Sequence, residues 1–374
     1  MKIVRIEPVF VDRWLIVKVE TDEGIVGYGE STLWAHLETV EVAVRKLGSF
    51  LIGKEPFRIE HHSQLPFRRF HFRGGVLNSA MAAIDIALWD ILGKSANLPI
   101  YQLLGGKYRE KCRTFLTIGG STPEEAAEEA SKAVKKGFTV LRIWPFGPKG
   151  PRIISSLEIS QAVDRVRAVR EAVGDGIDLG VEIHRRFTPI QAVTFAREIE
   201  RYRILFIEDP IAPESMEAML YVARKTSIPI AAGERCFDLY GFKELIDRGI
   251  VGFIRPDFTV AGGITEGRKI ATIAEASNVG VMPHLMSSPI GTAAFLHLDA
   301  SIPNYVFQEH MWEGEGIRRE ITKPALKDEP GYAYIPEGPG LGIELDEDAI
   351  AKHPYRSQGA LQGIYYEDGS LADF

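Results

Sequence analysis

From residue 113 onward, short apolar runs alternate with segments in which apolar residues recur at helical spacing. The runs are continuous rather than alternating, which is typical of parallel strands that are buried on both faces. Several of the intervening segments begin with Ser, Thr or Asp and end near Gly or Asn, as helices do. The runs occupy residues 113–120, 138–147, 177–186, 204–211, 228–236, 251–258, 279–286 and 304–311. Eight such units predict a closed βα barrel.

An open, doubly wound parallel sheet is the alternative to a barrel. That fold carries a glycine-rich phosphate loop after its first strand, and no such loop follows the first apolar run. We therefore predict the barrel, over residues 113–320.

The first 112 residues indicate a smaller α+β unit. Strand-like alternation and then helical spacing of apolar residues predict its elements. The strand patterns cover residues 3–12 and 15–30, and the helical patterns cover residues 36–52 and 79–106. The tail, residues 321–374, contains several Pro and Gly residues. By pattern alone the tail either completes the barrel or returns to the N-terminal unit.

Composition narrows the class of protein. The 374 residues are 45% hydrophobic and 25% charged, as in ordinary soluble globular proteins. A formal net charge of −7 does not suggest a nucleic-acid partner. No uninterrupted apolar run reaches the roughly 18 residues of a membrane span, so no membrane partner is expected. Cys112 and Cys236 form neither a disulfide framework nor a zinc motif, and we expect a cytoplasmic protein.

An ionisable residue closes each of the last six apolar runs. Their separations of 26, 26, 23, 27 and 25 residues match one βα unit each. In a βα barrel the carboxyl ends of all strands face one mouth, where active sites lie. These side chains should therefore converge on one pocket. They are Glu182, Glu208, Glu234, Asp257, His284 and Glu309.

Three of these residues are glutamates on consecutive strands. Carboxylates within a few ångströms repel each other unless a positive charge neutralises them. All-oxygen ligation suits Mg²⁺, so we predict a magnesium ion held by Glu182, Glu208 and Glu234. The alternative is a basic side chain paired with each acid, and candidates for that role are Arg185, Arg186 and Arg235.

Several motifs resemble the mandelate racemase-like acid-sugar dehydratases of the enolase superfamily, and among these most resemble the galactonate dehydratases. In the N-terminal part they are "TDEGIVGYGE", "FRGGVLNSAMAAIDIALWDILGK" and "PIYQLLGG". In the barrel they are "VEIHRRF", "FIEDP", "AAGER", "RPDFTVAGGITE", "PHLMSSPIG" and "FQEH". The resemblance implies a modified (β/α)7β TIM barrel under an α+β capping domain, to which we expect the C-terminal tail to return.

The resemblance also implies a role for each polar residue at the strand ends. The matching metal ligands are the three glutamates, and the general base is His284, oriented by Asp257. Glu309 matches the acid that hydrogen-bonds the substrate carboxylate, and His184 matches the residue that protonates the departing hydroxyl. A proton α to a carboxylate is weakly acidic, so the enediolate formed by its removal needs concentrated positive charge.

Two positions depart from the family pattern. Glu182 stands where the superfamily usually has Asp, so the extra methylene must shift the metal or the backbone. Arg142 and Trp144 stand where the racemases have a Lys-x-Lys pair. Because neither side chain is a usable base, two-base racemisation is disfavoured. Arg142 would either stabilise carboxylate charge during the reaction or pair with a neighbouring acid.

We therefore predict a Mg²⁺-dependent enzyme that converts an aldonic acid to a 2-keto-3-deoxy sugar acid. An epimerase, racemase or cycloisomerase on the same scaffold is the first alternative, and a non-catalytic homologue is the second. The partners expected are a small-molecule sugar acid and further copies of the chain in a homo-oligomer. Candidate substrate contacts in the capping domain are Trp34, His36 and Arg73, with Arg68, Arg69 and His71 nearby.

Overall fold

The capping domain opens with an antiparallel sheet whose strands lie in the order in which they occur along the chain. The computed structural model describes residues 1–69, 71–146, 155–357, 365 and 368–371. The strands of the capping sheet are β1 (Ile3–Val11), β2 (Trp14–Thr21) and β3 (Val26–Ser31). The helices that follow are α1 (Leu37–Ser49), α2 (Ile59–Ser63), α3 (Leu65–Arg68), α4 (Gly75–Ala96) and α5 (Ile100–Leu103).

Helix α4 is the core helix of the capping domain. Gly29 in β3 lets the backbone of α4 lie directly on the sheet, because a Cβ at Gly29 would lie 1.9 Å from the carbonyl oxygen of Ala83 in α4. By length and composition α4 could cross a membrane, but 72% of its apolar window is buried inside the protein. Its hydrophobicity is that of a helix in a protein core.

Among the described residues, eight parallel strands form the barrel, in the order in which they occur along the chain. From β4 to β10 each strand pairs with the next, and β11 pairs with β4, where Gln308 lies opposite Thr114. A bridge between Val281 and Tyr305 joins β10 to the segment before β11. The strands are β4 (Lys111–Ile118), β5 (Val140–Ile143), β6 (Asp178–Glu182), β7 (Phe206–Glu208), β8 (Ile230–Ala232), β9 (Phe253–Ile254), β10 (Gly280–Val281) and β11 (Gln308–Glu309).

A helix follows each strand from β4 to β10, which confirms the predicted (β/α)7β barrel. Thr122, Ser155 and Thr188 begin three of these helices as capping boxes, so the predicted helix starts hold at these positions. The helices are α6 (Pro123–Lys136), α7 (Ser156–Val173), α8 (Pro189–Ile199), α9 (Met216–Ala223), α10 (Leu239–Asp247), α11 (Gly263–Ala276) and α12 (Pro289–Ser301).

The tail contacts both parts of the molecule. β14 (Tyr332–Tyr334) pairs antiparallel with residues 111–113 at the start of β4, and farther along Tyr355 donates a hydrogen bond of 2.8 Å to Glu38 in the capping domain. The elements of the tail are α13 (Gly316–Glu320), β12 (Thr322–Lys323), β13 (Asp328–Glu329), β14 (Tyr332–Tyr334), β15 (Glu344–Leu345) and α14 (Glu347–Ile350). The last part of the predicted tail segment falls largely outside the described residues.

The polar residues predicted at strand ends lie at the carboxyl end of the barrel. Glu182, Glu208 and Glu309 are the last residues of β6, β7 and β11. The other members of the series lie two or three residues beyond the strands, in the loops that follow β8, β9 and β10. The predicted series is therefore continuous around the mouth, although only half of it is in strands.

Candidate active site

Arg142 brings three of the predicted acids together. It lies on β5, and its Nη1 atom is 3.2 Å from Glu182, 2.8 Å from Glu208 and 3.3 Å from Glu309. The side chain of Arg142 is 11% exposed, and the three glutamates are buried. Pairing with neighbouring acids was one of the two roles predicted for Arg142, and the structure shows it.

Arg255 is a second guanidinium in the same cluster. It is fully buried, and it contacts Glu208 at 2.8 Å and Glu309 at 2.6 Å. It also donates to the backbone carbonyl of Met282 at 3.0 Å. The backbone N–H of Leu285 donates to the other oxygen of Glu309. Glu309 therefore contacts two arginines and one backbone donor.

Glu234, the third predicted metal ligand, pairs with Arg185. The same guanidinium reaches Asp209 at 3.2 Å. Arg185 and its neighbour His184 both have positive φ, 67° and 56°, and this sharp turn after β6 aims Arg185 at the adjacent strand ends. The backbone N–H of Arg185 completes the turn by donating to the carbonyl of Asp209 at 2.7 Å.

The predicted base forms the expected dyad. Nδ1 of His284 is 3.0 Å from Oδ2 of Asp257, and its Nε2 lies 3.8 Å from Glu234. Thr32, which follows β3 in the capping domain, donates to the same Oδ2 at 3.1 Å, and the backbone N–H of Thr259 donates to Oδ1 at 3.0 Å. Both domains therefore hold the carboxylate that orients the imidazole.

His184, the residue predicted to protonate the departing hydroxyl, lies in the turn after β6. The ring of His184 packs 5.1 Å from that of Trp144, and its Nε2 is 2.9 Å from Nη2 of Arg185. A guanidinium only donates hydrogen bonds, so Nε2 accepts in this contact and carries no proton there. A proton from His184 must therefore come from Nδ1 or follow a break in the Arg185 contact.

The acids at the mouth are held in different protonation states. Burial raises the pKa of Glu182 well above its ordinary value, and neighbouring Glu208 raises it further. Burial alone would raise the pKa of Glu208 too, but Arg142 and Arg255 outweigh it and lower the pKa to about 2. The protonated form of Glu182 beside ionised Glu208 reduces the repulsion between them.

The two histidines are also held in opposite states. Burial favours neutral His284, but its hydrogen bond to Asp257 and the charge of Glu234 outweigh burial and raise the pKa to about 9. Burial and then Arg185 lower the pKa of His184 to about 4. The pocket thus stabilises an imidazolium at His284, which is the form that results when a base takes up a proton.

The predicted magnesium ligands do not fit a cation in this arrangement. Glu208 uses both oxygens on guanidinium groups, at 2.8 Å each. Glu182 uses one oxygen on Arg142 and the other on the backbone N–H of His184. Across the described ranges, no group of three or more His, Cys, Asp or Glu side chains is placed to hold a metal ion. Mg²⁺ at these residues stays a prediction.

The predicted alternative to a metal ion was a basic side chain paired with each of the three glutamates. The structure shows such pairs, but two of the three arginines expected to form them do not. Arg185 has the predicted role, but Arg186 and Arg235 do not contact the three glutamates. Arg186 donates to the carbonyl of Phe146 at 3.3 Å, and Arg235 lies 3.3 Å from Glu214. Arg142 and Arg255 take the roles that these two residues were expected to fill.

The three candidate substrate contacts are exposed residues of the capping domain. Trp34 is 41% exposed, and His36 is also exposed, at the start of α1. Arg73 lies over the ring of Tyr240 at 4.6 Å and lies 3.9 Å from Asp238, the residue that caps α10. Arg73 therefore joins the capping domain to the loop after β8, while the substrate roles of all three residues stay predictions.

Arg255, Asp209 and Thr32 are site residues that the sequence analysis did not identify. Arg255 had a usable signal, because it precedes Asp257 by two positions and so tends to share its side of the strand. Asp209 directly follows Glu208 in the "FIEDP" motif. Thr32 had none, because a threonine after a capping-domain strand carries no mark of the loop that it will meet.

Comparison with known proteins agrees with this architecture. The family model for the mandelate racemase / muconate lactonizing enzyme N-terminal domain matches residues 5–105, and the enolase C-terminal domain-like model matches residues 125–349. A D-galactonate dehydratase of Cronobacter sakazakii (strain ATCC BAA-894) is 40% identical over 373 residues, which is 97% of each chain. A D-galactonate dehydratase of Klebsiella pneumoniae (strain 342) is 40% identical, again over 97% of each chain.

Solved structures give the same assignment. A member of the enolase superfamily from Salmonella Typhimurium has a TM-score of 0.88 and 32% identity, over 94% of this chain and 98% of that one. A mandelate racemase/muconate lactonizing enzyme-like protein from Roseovarius sp. TM1035 has a TM-score of 0.89 and 31% identity, over 96% and 97%. The likeness thus covers the capping domain and the barrel together.

Proposed function

Because the chain belongs to the mandelate racemase/muconate lactonizing enzyme family of the enolase superfamily and is an acid-sugar dehydratase, we propose that it converts an aldonate, D-galactonate first among candidates, to the 2-keto-3-deoxy acid. The observation that carries the proposal is the His284–Asp257 dyad, at 3.0 Å, beside a buried cluster of cationic side chains. The dyad supplies a base, and the cations supply the charge that an enediolate needs. A cytoplasmic location and a homo-oligomer stay predictions.

The first step is removal of the proton on C2 of the aldonate. The neutral form of His284, which its pKa of about 9 makes the minor form near neutral pH, takes this proton on Nε2, while Asp257 holds the hydrogen on Nδ1 and so fixes the tautomer. The electron pair of the C–H bond moves into the carboxylate and gives an enediolate. The acids around His284 then stabilise the imidazolium that has formed.

The second step is loss of the hydroxyl on C3. The enediolate electrons form a double bond between C2 and C3 as the C3–O bond breaks. The imidazolium form of His184 donates the proton with which the hydroxyl leaves as water. Because the pKa of His184 is about 4 and its Nε2 accepts from Arg185, this form requires that the Arg185 contact break first. The resulting enol gains a proton on C3, loses the proton of its C2 hydroxyl, and becomes the 2-keto-3-deoxy acid. The sum of the steps is the loss of one water molecule, so no oxidant or reductant is required.

Magnesium would supply electrostatic stabilisation of the enediolate if it were bound at Glu182, Glu208 and Glu234. The guanidinium contacts of these residues do not fit such an ion, so the steps proposed use side chains of the chain alone.

Deuterium exchange separates the two steps. We expect wild-type protein in D₂O with D-galactonate or another five- or six-carbon aldonate to form a 2-keto product, seen by proton NMR. His284→Asn should lower both C2 exchange and product formation by about 10²–10⁴-fold, since it removes the base. His184→Asn should lower product formation by a similar factor and leave C2 exchange within about threefold of wild type.

His61→Asn, on the surface of the capping domain, is the matched control and should behave as wild type. Deuterium incorporation by the wild type without loss of water would support the epimerase alternative instead. No product and no exchange from any aldonate or aldarate would overturn the proposal.

A further inference from the structure

One nitrogen atom of Arg142 lies among three carboxylates from three different strands. Its Nη1 is 2.8 Å from Oε2 of Glu208, 3.2 Å from Oε2 of Glu182 and 3.3 Å from Oε1 of Glu309. Nη2 of the same side chain donates to Thr117 at 3.0 Å. The guanidinium is thus held through both of its terminal nitrogens, and Nη1 contacts Glu182 and Glu208 at once.

Arg255 supplies a second positive charge to Glu208 and Glu309. It donates from Nε to the remaining oxygen of Glu208 and from Nη2 to Glu309, and two backbone carbonyls accept from its Nη1. Arg255 is fully buried, so breaking these contacts would leave an uncompensated charge in the protein interior. Glu208 is therefore committed to two cations of the chain.

A divalent ion would compete for the same atoms. An ion bonded to Oε2 of Glu182 and Oε2 of Glu208 would need the place that Nη1 of Arg142 holds, since that nitrogen contacts both oxygens. A divalent ion next to the guanidinium of Arg142 would be repelled strongly, because the site is buried. Arg142 would have to leave a pocket in which three carboxylates and Thr117 hold it. One of these carboxylates is Glu182, which stands where the superfamily usually has Asp.

We propose that the guanidinium groups of Arg142 and Arg255 take the place of the divalent cation in this enzyme and exclude Mg²⁺ from Glu182 and Glu208. The inference rests on the proposed function for its chemical role: the two guanidiniums stabilise the enediolate formed from the aldonate. Arginine suits this role because it stays protonated and its planar fork matches a carboxylate. Arg142, the more exposed of the pair, faces the mouth from which a substrate carboxylate would enter.

Metal binding tests the proposal without reference to activity. Chelator-treated full-length wild type and Arg142→Met are titrated with Mn²⁺ and with Mg²⁺ by calorimetry, with electron paramagnetic resonance for Mn²⁺. We expect no stoichiometric binding to the wild type at millimolar metal. Removal of the guanidinium should raise the affinity of R142M for Mn²⁺ by at least about tenfold, a change of about 1.4 kcal/mol.

Arg142→Lys and Arg45→Met are the control variants. R142K keeps a positive charge in the pocket and should still exclude the metal, whereas R45M removes an arginine from the surface of α1, where it pairs with Glu41, and should match the wild type. Stoichiometric binding of either metal to the wild type at micromolar concentration would overturn the proposal. Equal affinities of R142M and wild type would also overturn it.

A second measurement covers the case in which R142M does not fold. Deuterium exchange at C2 of the aldonate by the wild type should be unchanged, within about twofold, by an excess of EDTA. Loss of exchange that Mg²⁺ restores would overturn the replacement of the metal by arginine. Absence of exchange with and without EDTA would instead count against the proposed function, while the titrations would still decide whether Arg142 excludes the metal.

Discussion

Thr32 is the residue through which the capping domain acts directly on the catalytic dyad. Its hydroxyl lies 3.1 Å from the oxygen of Asp257 that also receives Nδ1 of His284. A hydrogen bond to a charged group contributes about 1.5–3 kcal/mol. We therefore expect Thr32→Val to lower kcat, or the rate of C2 exchange, by at least about tenfold while KM stays within about threefold.

Thr32→Ser keeps the hydroxyl and should restore most of the lost rate. Thermal unfolding of both variants should stay near that of the wild type, because Thr32 is only partly buried. A T32V variant with wild-type kcat would show that Thr259 alone positions Asp257, and equal losses in T32V and T32S would point to packing rather than the hydroxyl.

Five acids and one histidine at the mouth could be predicted from the sequence because they repeat at the period of one βα unit; they are Glu182, Glu208, Glu234, Asp257, Glu309 and His284. The same reasoning missed Arg255, because the series takes the residue that closes each apolar run and Arg255 lies two positions before that residue. It also left Arg142 with two open roles. Only the geometry shows that one nitrogen atom of Arg142 lies among three carboxylates.

At the scale of elements, the turn after β6 explains why Glu234 pairs with an arginine instead of the metal ion predicted from the sequence. Alternation along a strand that continued through His184 would place Glu182 and His184 on the same side. The strand in fact ends at Glu182, and two consecutive left-handed residues, His184 and Arg185, follow. Neither is a glycine, so nothing in the sequence marks this conformation. The turn brings Arg185, rather than a metal, to Glu234.

The crossing of the tail over α4 depends on a glycine. Gly340 has a φ of 66°, and a Cβ there would lie 2.1 Å from Oδ1 of Asp90, which accepts the backbone N–H of Leu341 at 2.8 Å. Gly340→Ala combines left-handed strain with a clash against a buried carboxylate. We expect it to lower the free energy of unfolding by at least about 2 kcal/mol, as measured by urea denaturation, and to speed proteolysis of the tail.

Gly53→Ala is the matched control for the backbone term. Gly53 also has a positive φ, 76°, but a Cβ there would meet nothing within 4 Å. It should therefore show only the left-handed penalty of about 1–2 kcal/mol. Equal losses in the two variants would mean that the tail moves away from Asp90 without cost.

At the scale of the whole molecule, two buried carboxylates of the capping domain join it to helices of the barrel. Glu30 accepts hydrogen bonds from the backbone N–H groups of Ser288 and Gly291 at the start of α12, at 2.7 and 2.8 Å. Asp85 on α4 accepts from the backbone N–H of Thr265 at the start of α11, at 3.0 Å. The N-terminus of a helix favours an acceptor in this position. These contacts attach the capping domain to the barrel at the starts of α11 and α12.

Asp85 makes this attachment depend on pH. Within the described part of the chain its Oδ1 has no hydrogen-bond partner, and burial raises its pKa to about 7 even though Thr265 opposes the shift. An unfolded Asp titrates near 3.9. Between about pH 4 and pH 7 the unfolded chain gives up this proton and the folded protein keeps it, so Asp85 makes the free energy of unfolding fall as the pH rises.

Asp85→Asn keeps an oxygen acceptor for Thr265 and removes the titration. We expect the stability of the wild type relative to D85N to fall by a few kcal/mol between about pH 4 and pH 7 and to stay constant above that range. Urea denaturation at a series of pH values measures this difference, with Glu41→Gln on the surface of α1 as a control for the loss of one charge. A difference between wild type and D85N that does not change with pH would mean that Asp85 is ionised in the folded protein, with the start of α11 supplying the compensating charge.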